Sequence, residues 1–224
     1  MGATVDTLAI HDAAAAVEHV GVDPDLTFAF GKVNGVLTGL RRARHERVVI
    51  ADDDVRYTPA LLADLVALLD RADVVRPQNV FDSLPWHARW DTARSLLARA
   101  AGGDWPGTLA VRRSVLVAAG GYDGDCLFEN LELVRTVEAA GGRALSAPWL
   151  YVPRRPPAAS HFSSQRVRQA YDSFAQPWRL ALELAGLPAL VALARRVGPA
   201  RATGAAAVAV ATTAEVGRRR HGGA

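Results

Sequence analysis

The chain has 224 residues, half of them hydrophobic and 22% charged, which suits one domain with a sizeable core plus an appendage and excludes disordered or fibrous classes. A formal net charge of +3 is too small to mark a dedicated nucleic-acid binder. The single cysteine, Cys126, excludes an intrachain disulfide and a cysteine-ligated zinc site, and it suits a reducing compartment. Basic charge is almost entirely arginine, with Lys32 the one lysine, and the heavy use of alanine and glycine points to a GC-rich bacterial genome. The first residues lack a basic segment followed by an apolar one, so no signal peptide and a cytoplasmic location are expected.

Residues 4–10 read as a strand ending at His11-Asp12, followed by an Ala-rich helix over 13–20 that Gly21 to Pro24 breaks. A short strand is expected at 26–30. From Gly31 the apolar residues Val33, Val36, Leu37 and Leu40 fall on one helical face. Residues 47–51 read as a buried strand. Thr58 is placed as an N-cap and Pro59 in the first turn of a helix whose buried stripe is Leu61, Leu62, Leu65, Leu68 and Leu69. Asp73 to Arg76 begins another short strand, limited by Pro77. This strand–helix rhythm predicts an α/β fold with a mostly parallel sheet flanked by helices.

Residues 81–105 differ: Trp86, Trp90 and Trp105 lie among Arg and His, with a helix around 89–101. A strand at 107–112, a short helix at 114–119, a Gly120-Gly121 turn, a helix at 129–140 capped by Gly141-Gly142 and an extended segment at 145–152 complete a domain over 1–174. The remainder, 175–224, reads as an apolar helical tail: 178–193, interrupted by Gly186 and Pro188, then the Ala/Val-rich 202–216 and Arg218-Arg219-Arg220. Neither apolar stretch reaches the roughly 20 residues that span a bilayer. Two alternatives stand: an interfacial hairpin on the inner face of the cell membrane, or helices packed on the domain.

The most telling segment is Val48-Val49-Ile50-Ala51-Asp52-Asp53-Asp54. An apolar strand runs straight into three carboxylates, which repel one another unless neutralised, and a divalent cation does this through oxygen ligands. In open α/β sheets ligands bind beyond the carboxyl ends of the strands. An acidic turn is the competing explanation. Side-chain alternation would turn Asp53 away from Asp52 and Asp54.

Four segments, in order, resemble the family 2 glycosyltransferases, which have the nucleotide-sugar-binding GT-A fold. They are Gly31-Lys32-Val33-Asn34-Gly35 through Leu40; Asp52-Asp53-Asp54, similar to the Asp-x-Asp motif; Gly107 through Arg113 to Gly120-Gly121-Tyr122-Asp123; and Phe128-Glu129-Asn130-Leu131-Glu132-Leu133. Gln165-Arg166-Val167-Arg168-Gln169 is similar to the Gln-x-x-Arg-Trp motif of processive and ceramide-type members, with Gln169 in place of Trp. Family members usually begin one strand earlier, with a Val-x-Ile-Pro strand that this chain lacks.

The resemblance implies transfer of a hexose from a nucleotide diphosphate sugar to a lipid or polysaccharide acceptor, inverting and assisted by Mn2+ or Mg2+. Asp54 would ligate the metal, and Asp52 the metal or ribose. Asp12 would hold base or ribose, or else cap the following helix. Lys32 would reach phosphate or nucleotide, or else stand solvated at a helix start. Gln165 and Arg168 would contact the diphosphate or acceptor, and Trp86, Trp90 and Trp105 the acceptor, with core packing as the alternative for each tryptophan. The position of the family's base holds Asn130, which has no useful basicity. Glu129 is the expected substitute, with Glu132, Asp123 and Asp125 behind it. A non-catalytic relative that binds a nucleotide sugar or a partner is the alternative, and a nucleotidyltransferase is disfavoured because no Gly-rich phosphate loop stands near the start.

Overall fold

The computed structural model describes residues 18–101 and 105–220. The strand expected at 4–10, most of the helix expected at 13–20, and Asp12 lie outside them. The elements run α1 (Gly31–Arg42), β1 (Arg47–Ala51), α2 (Pro59–Ala67), β2 (Val74–Phe81), α3 (Trp86–Ala100), β3 (Thr108–Arg112), α4 (Arg113–Ala118), α5 (Glu129–Ala139), β4 (Ala144–Arg154), α6 (Ala159–Asp172), α7 (Pro177–Val197) and α8 (Pro199–Arg220).

The four strands form a mixed sheet in the order β1-β3-β2-β4. Only β2 and β4 pair in parallel, and β3 is antiparallel to both β1 and β2. The expectation of a mostly parallel sheet is therefore corrected. β1, β2 and β4 do run in one direction, as a strand–helix–strand rhythm demands, but β3 enters between β1 and β2 from the opposite end. Its side chains alternate between faces: Leu109 and Val111 point into a core with α1, α4 and α5, whereas Ala110 points into a second core with α2. Val74 and Val75 of β2 divide in the same way. Each fully buried Leu, such as Leu65, Leu69, Leu109 and Leu133, contributes about 1.5–3 kcal/mol relative to exposure.

Local chemistry accounts for where elements start and stop. Thr58 Oγ1 accepts from the Leu61 N–H at 3.2 Å, with Pro59 in the first turn, as its sequence position predicts. Gly141, at φ +82°, ends α5 in the left-handed conformation, and the Gly142 N–H reaches back to the Val137 carbonyl at 2.9 Å. Residues 26–30 are not a strand. The Asn34 side chain accepts from the Phe28 N–H and donates to the Phe28 carbonyl, while Asp125 and the Gly124 carbonyl accept from the N–H groups of Ala29 and Phe30. With its polar backbone committed to these partners, the segment has none left for a ladder. β2 does not stop at Pro77; the register shifts between Arg76 and Gln78, a bulge that absorbs the missing proline N–H.

The tail is helical, but its apolar character is interrupted. Arg179, Glu183, Arg195 and Arg196 punctuate α7, and no helix among the described residues is long and apolar enough to cross a membrane. Gly186 and Pro188 do not break α7. α8 lies against α3: Ala202 and Gly217 are buried, and Arg220 donates to the Ala100 carbonyl at 2.7 Å. A Cβ at Gly217 would fall on the Leu96 carbonyl oxygen, so the two backbones touch there. Gly217→Leu should therefore force the helices apart and lower stability by about 1–3 kcal/mol, seen as a lower urea midpoint with an unchanged slope.

Candidate functional site

Because β3 runs against its neighbours, its first residue meets the carboxyl ends of β1, β2 and β4 at one edge of the sheet. Three hydrogen bonds fix that edge. The Asp52 N–H donates to the Gly107 carbonyl at 2.8 Å, the Gly107 N–H donates to Asn79 Oδ1 at 2.6 Å, and the Arg155 N–H donates to the Asp54 carbonyl at 2.9 Å. A Cβ at Gly107 would collide with the Asp52 carboxylate. Glycine there lets the carboxylate lie directly against the backbone.

At this edge lies a cavity of about 430 Å3, lined by Asp52, Asp53, Asp54, Lys32, Glu129 and Arg154 together with Gln165 and the apolar Phe30, Val36 and Ile50. α1 brings Lys32 from its first turn, and α5 brings Glu129 from its own, where a carboxylate also suits the helix dipole. Lys32 Nζ is the hub. It lies 2.8 Å from Asp52 Oδ1, 3.2 Å from Glu129 Oε1 and 3.2 Å from Asn130 Oδ1. Asn130 is held in turn by donating Nδ2 to the Pro106 carbonyl at 3.1 Å. The residue that cannot act as a base thus positions the lysine, while Glu129, only 8% exposed, faces the cavity beside it.

Asp54 has a different partner. Arg154, at the end of β4, grips Asp54 Oδ2 through Nε at 3.0 Å and a terminal nitrogen at 2.5 Å. Asp54 Oδ1 is buried and has no hydrogen-bond partner among the described residues. Burial lifts the Asp54 carboxyl above the usual carboxylate range, with Asp52 and Asp53 adding to the rise and Arg154 opposing it. Asp53 is exposed but lines the same cavity as Asp52 and Asp54: β1 ends at Ala51 and residues 53–54 form a turn, so the expected strand alternation does not carry through them; its carbonyl accepts from Arg56 at 2.6 Å.

A second cavity, of about 280 Å3, shares Asp52, Glu129, Arg154 and Gln165 with the first and extends over Trp105 towards Arg179 at the start of α7. Trp105 packs edge-on against Phe128 and carries the Arg76 guanidinium 4.2 Å above its ring. Trp86 and Trp90, both 66% exposed, line neither of these cavities; Trp86 instead packs on His87 and Phe162. Gln165 reaches both cavities from α6 and contacts His161 at 2.9 Å. Arg168 lies three residues further along α6, and its side chain is outside the described part of the structure. Asp123 and Asp125 are structural: Asp123 accepts from the Asp125 N–H and Asp125 from the Ala29 N–H, each at 2.8 Å. Glu132 lines neither cavity.

Sequence reasoning missed Arg154, Gly107 and the tethering role of Asn130. An arginine pair closing an apolar strand, Val152-Pro153-Arg154-Arg155, is the signal that marks the first of these. Comparison with protein-family models finds no match to this chain, and no curated protein matches it.

The donor set can be tested against a divalent cation. Among the described residues no group of three or more His, Cys, Asp or Glu could hold one. Asp52 and Asp54 both line the first cavity, each paired with a cation, and Asp54 carries a buried oxygen with no partner among the described residues; an ion held there would take its other ligands from water and substrate phosphates.

Proposed function

We propose that the protein is a glycosyltransferase of the GT-A type, resembling family 2, which moves a hexose from a nucleotide diphosphate sugar to a lipid or polysaccharide acceptor. The observation that carries this reading is the meeting of Asp52, Asp54 and Lys32, from the neighbouring β1 and α1 regions, with Glu129 of the distant α5 in one cavity. A strand-end acidic pair alone is commonplace; one facing a sequestered carboxylate and two cations has the parts that the reaction needs.

Asp52 and Asp54 would hold a Mn2+ or Mg2+ ion, which supplies Lewis-acid stabilisation of the negative charge on the departing diphosphate. Lys32 and Arg154 flank the same space and add positive charge there. Glu129 accepts the proton of the acceptor hydroxyl as that oxygen bonds to the anomeric carbon and the carbon–phosphate-oxygen bond breaks. Burial of Glu129 among protein atoms keeps bulk water from competing for that proton. Trp105 and Gln165, in the adjoining cavity, are the acceptor contacts that remain from the sequence expectations.

A specific observation bears on where the acceptor is met. α7 buries none of its residues, and Trp178, Leu182, Leu184 and Leu187 are 58–71% exposed on it. With Arg195 and Arg196 in its last turn, this suits a helix lying on an anionic membrane surface.

Three measurements test the proposal. Titration of UDP and GDP calorimetrically, with and without Mn2+, should give metal-dependent binding that Asp54→Ala removes; a folded protein that binds no nucleoside diphosphate sinks the reading. Glu129→Gln should leave nucleotide binding within about threefold and lower transfer by about 100-fold or more, whereas wild-type protein that binds nucleotide but shows no turnover would favour a non-catalytic relative. Flotation with anionic vesicles should carry the full chain upward, and Leu184→Asp with Leu187→Asp should keep it in the soluble fraction.

A further inference from the structure

The ammonium of Lys32 has three N–H donors, and three acceptors surround it: Asp52, Glu129 and Asn130. It is therefore saturated by the protein itself. The cavity around it is lined by four carboxylates and two cations, a formal net charge of −2. A diphosphate entering alone meets net repulsion. A bare divalent ion entering alone must compete with Lys32 for Asp52 and finds too few protein oxygens to complete its shell. A divalent ion cancels the lining's formal charge, so a diphosphate arriving with it no longer meets that repulsion and supplies the ligands the protein lacks.

Resting on the glycosyltransferase reading, we propose that Lys32 is a displaceable internal cation, which occupies Asp52 and Glu129 until a divalent ion and a nucleoside diphosphate arrive together and then transfers to phosphate. The chemistry of the two cations in the cavity supports this division. Arg154 holds one oxygen of Asp54, Oδ2, with two of its nitrogens, which suits a fixed partner. Lysine is a compact point charge on a flexible stem and can change partners by rotating that stem. The chain uses arginine for every other basic side chain apart from histidine, and it carries its one lysine here.

Two consequences follow from the contacts of Nζ. Divalent ion and nucleotide bind with positive coupling, and by linkage each raises the affinity of the other by the same factor. Glu129 is also released from its ion pair only in the loaded site, so the acceptor proton is taken once the donor is in place.

The test is binding, not turnover. Mn2+ alone is titrated into the wild-type protein, Lys32→Met and the charge-retaining Lys32→Arg, with circular dichroism confirming that each is folded. Lys32→Met should bind Mn2+ alone about tenfold more tightly than wild type, because Asp52 has lost its competitor, and Lys32→Arg should not. In protein labelled with 15N-lysine, the single side-chain ammonium resonance should shift when Mg2+ and UDP or GDP are added together and hold its position with Mg2+ alone. Equal Mn2+ affinities in wild type and Lys32→Met, or an ammonium resonance indifferent to Mg2+ plus a nucleotide that binds, would overturn the proposal and leave the glycosyltransferase reading standing. Failure of wild type to bind any nucleoside diphosphate with Mn2+ would overturn both.

Discussion

The pairing of β3 with β1 on one side and β2 on the other is the constraint on which the molecule depends. It joins two strands that the chain order alone would leave side by side, and it runs against them. The reversal delivers Gly107 to the carboxyl ends of β1 and β2, and the hydrogen bonds among Asp52, Gly107 and Asn79 are its direct product. Asn79 is also tied to β4, donating Nδ2 to the Val152 carbonyl at 3.0 Å. The floor of the cavity is thus a hydrogen-bonded unit of the sheet and not a set of independent loops. A side chain mounted there inherits the rigidity of the core below it.

Electrostatics organise the cavity in two halves joined by different chemistry. Asp54 and Arg154 form a partly buried pair whose arginine sits at the end of β4. Lys32, Asp52 and Glu129 form a similarly buried cluster joined through one rotatable stem. Removing a partner from the first half leaves a charge stranded among poorly solvating groups, a costly state. Rearranging the second exchanges one set of charge-assisted contacts for another. A site that must both hold its shape and accept a charged visitor benefits from having both kinds.

Much of this was legible in the sequence where the signal is local. Helical periodicity marked α1, and Thr58-Pro59 marked the start of α2, because caps and amphipathic faces are written in adjacent residues. The acidic end of β1 was visible for the same reason. The direction of β3 was not, since an apolar pentad carries no record of which way its neighbours run. The segment 26–30 misled because its apolar side chains do pack on the core while its backbone is bound by Asn34 and Asp125, the latter nearly a hundred residues away in sequence. Asn130 looked like a lost base; its use as a bracket for Lys32 rests on a contact between helices that no local pattern encodes. Arg154 was missed because a strand-terminal arginine is usually solvated, and only the fold sets it against Asp54.

The contact of α8 with α3 joins Arg220 to Ala100 across 120 residues of chain. Helix α3 is complete long before the residues that cover it have been synthesised. At ribosomal rates the interval is about ten seconds, far longer than the microseconds in which a helix forms. Throughout it the strip of α3 around Leu96, which α8 approaches down to bare backbone at Gly217, stands open to other chains. The α3 surface is therefore covered only once α8 has been made and has packed on it, so the folding of this pair waits on the synthesis of the residues between them.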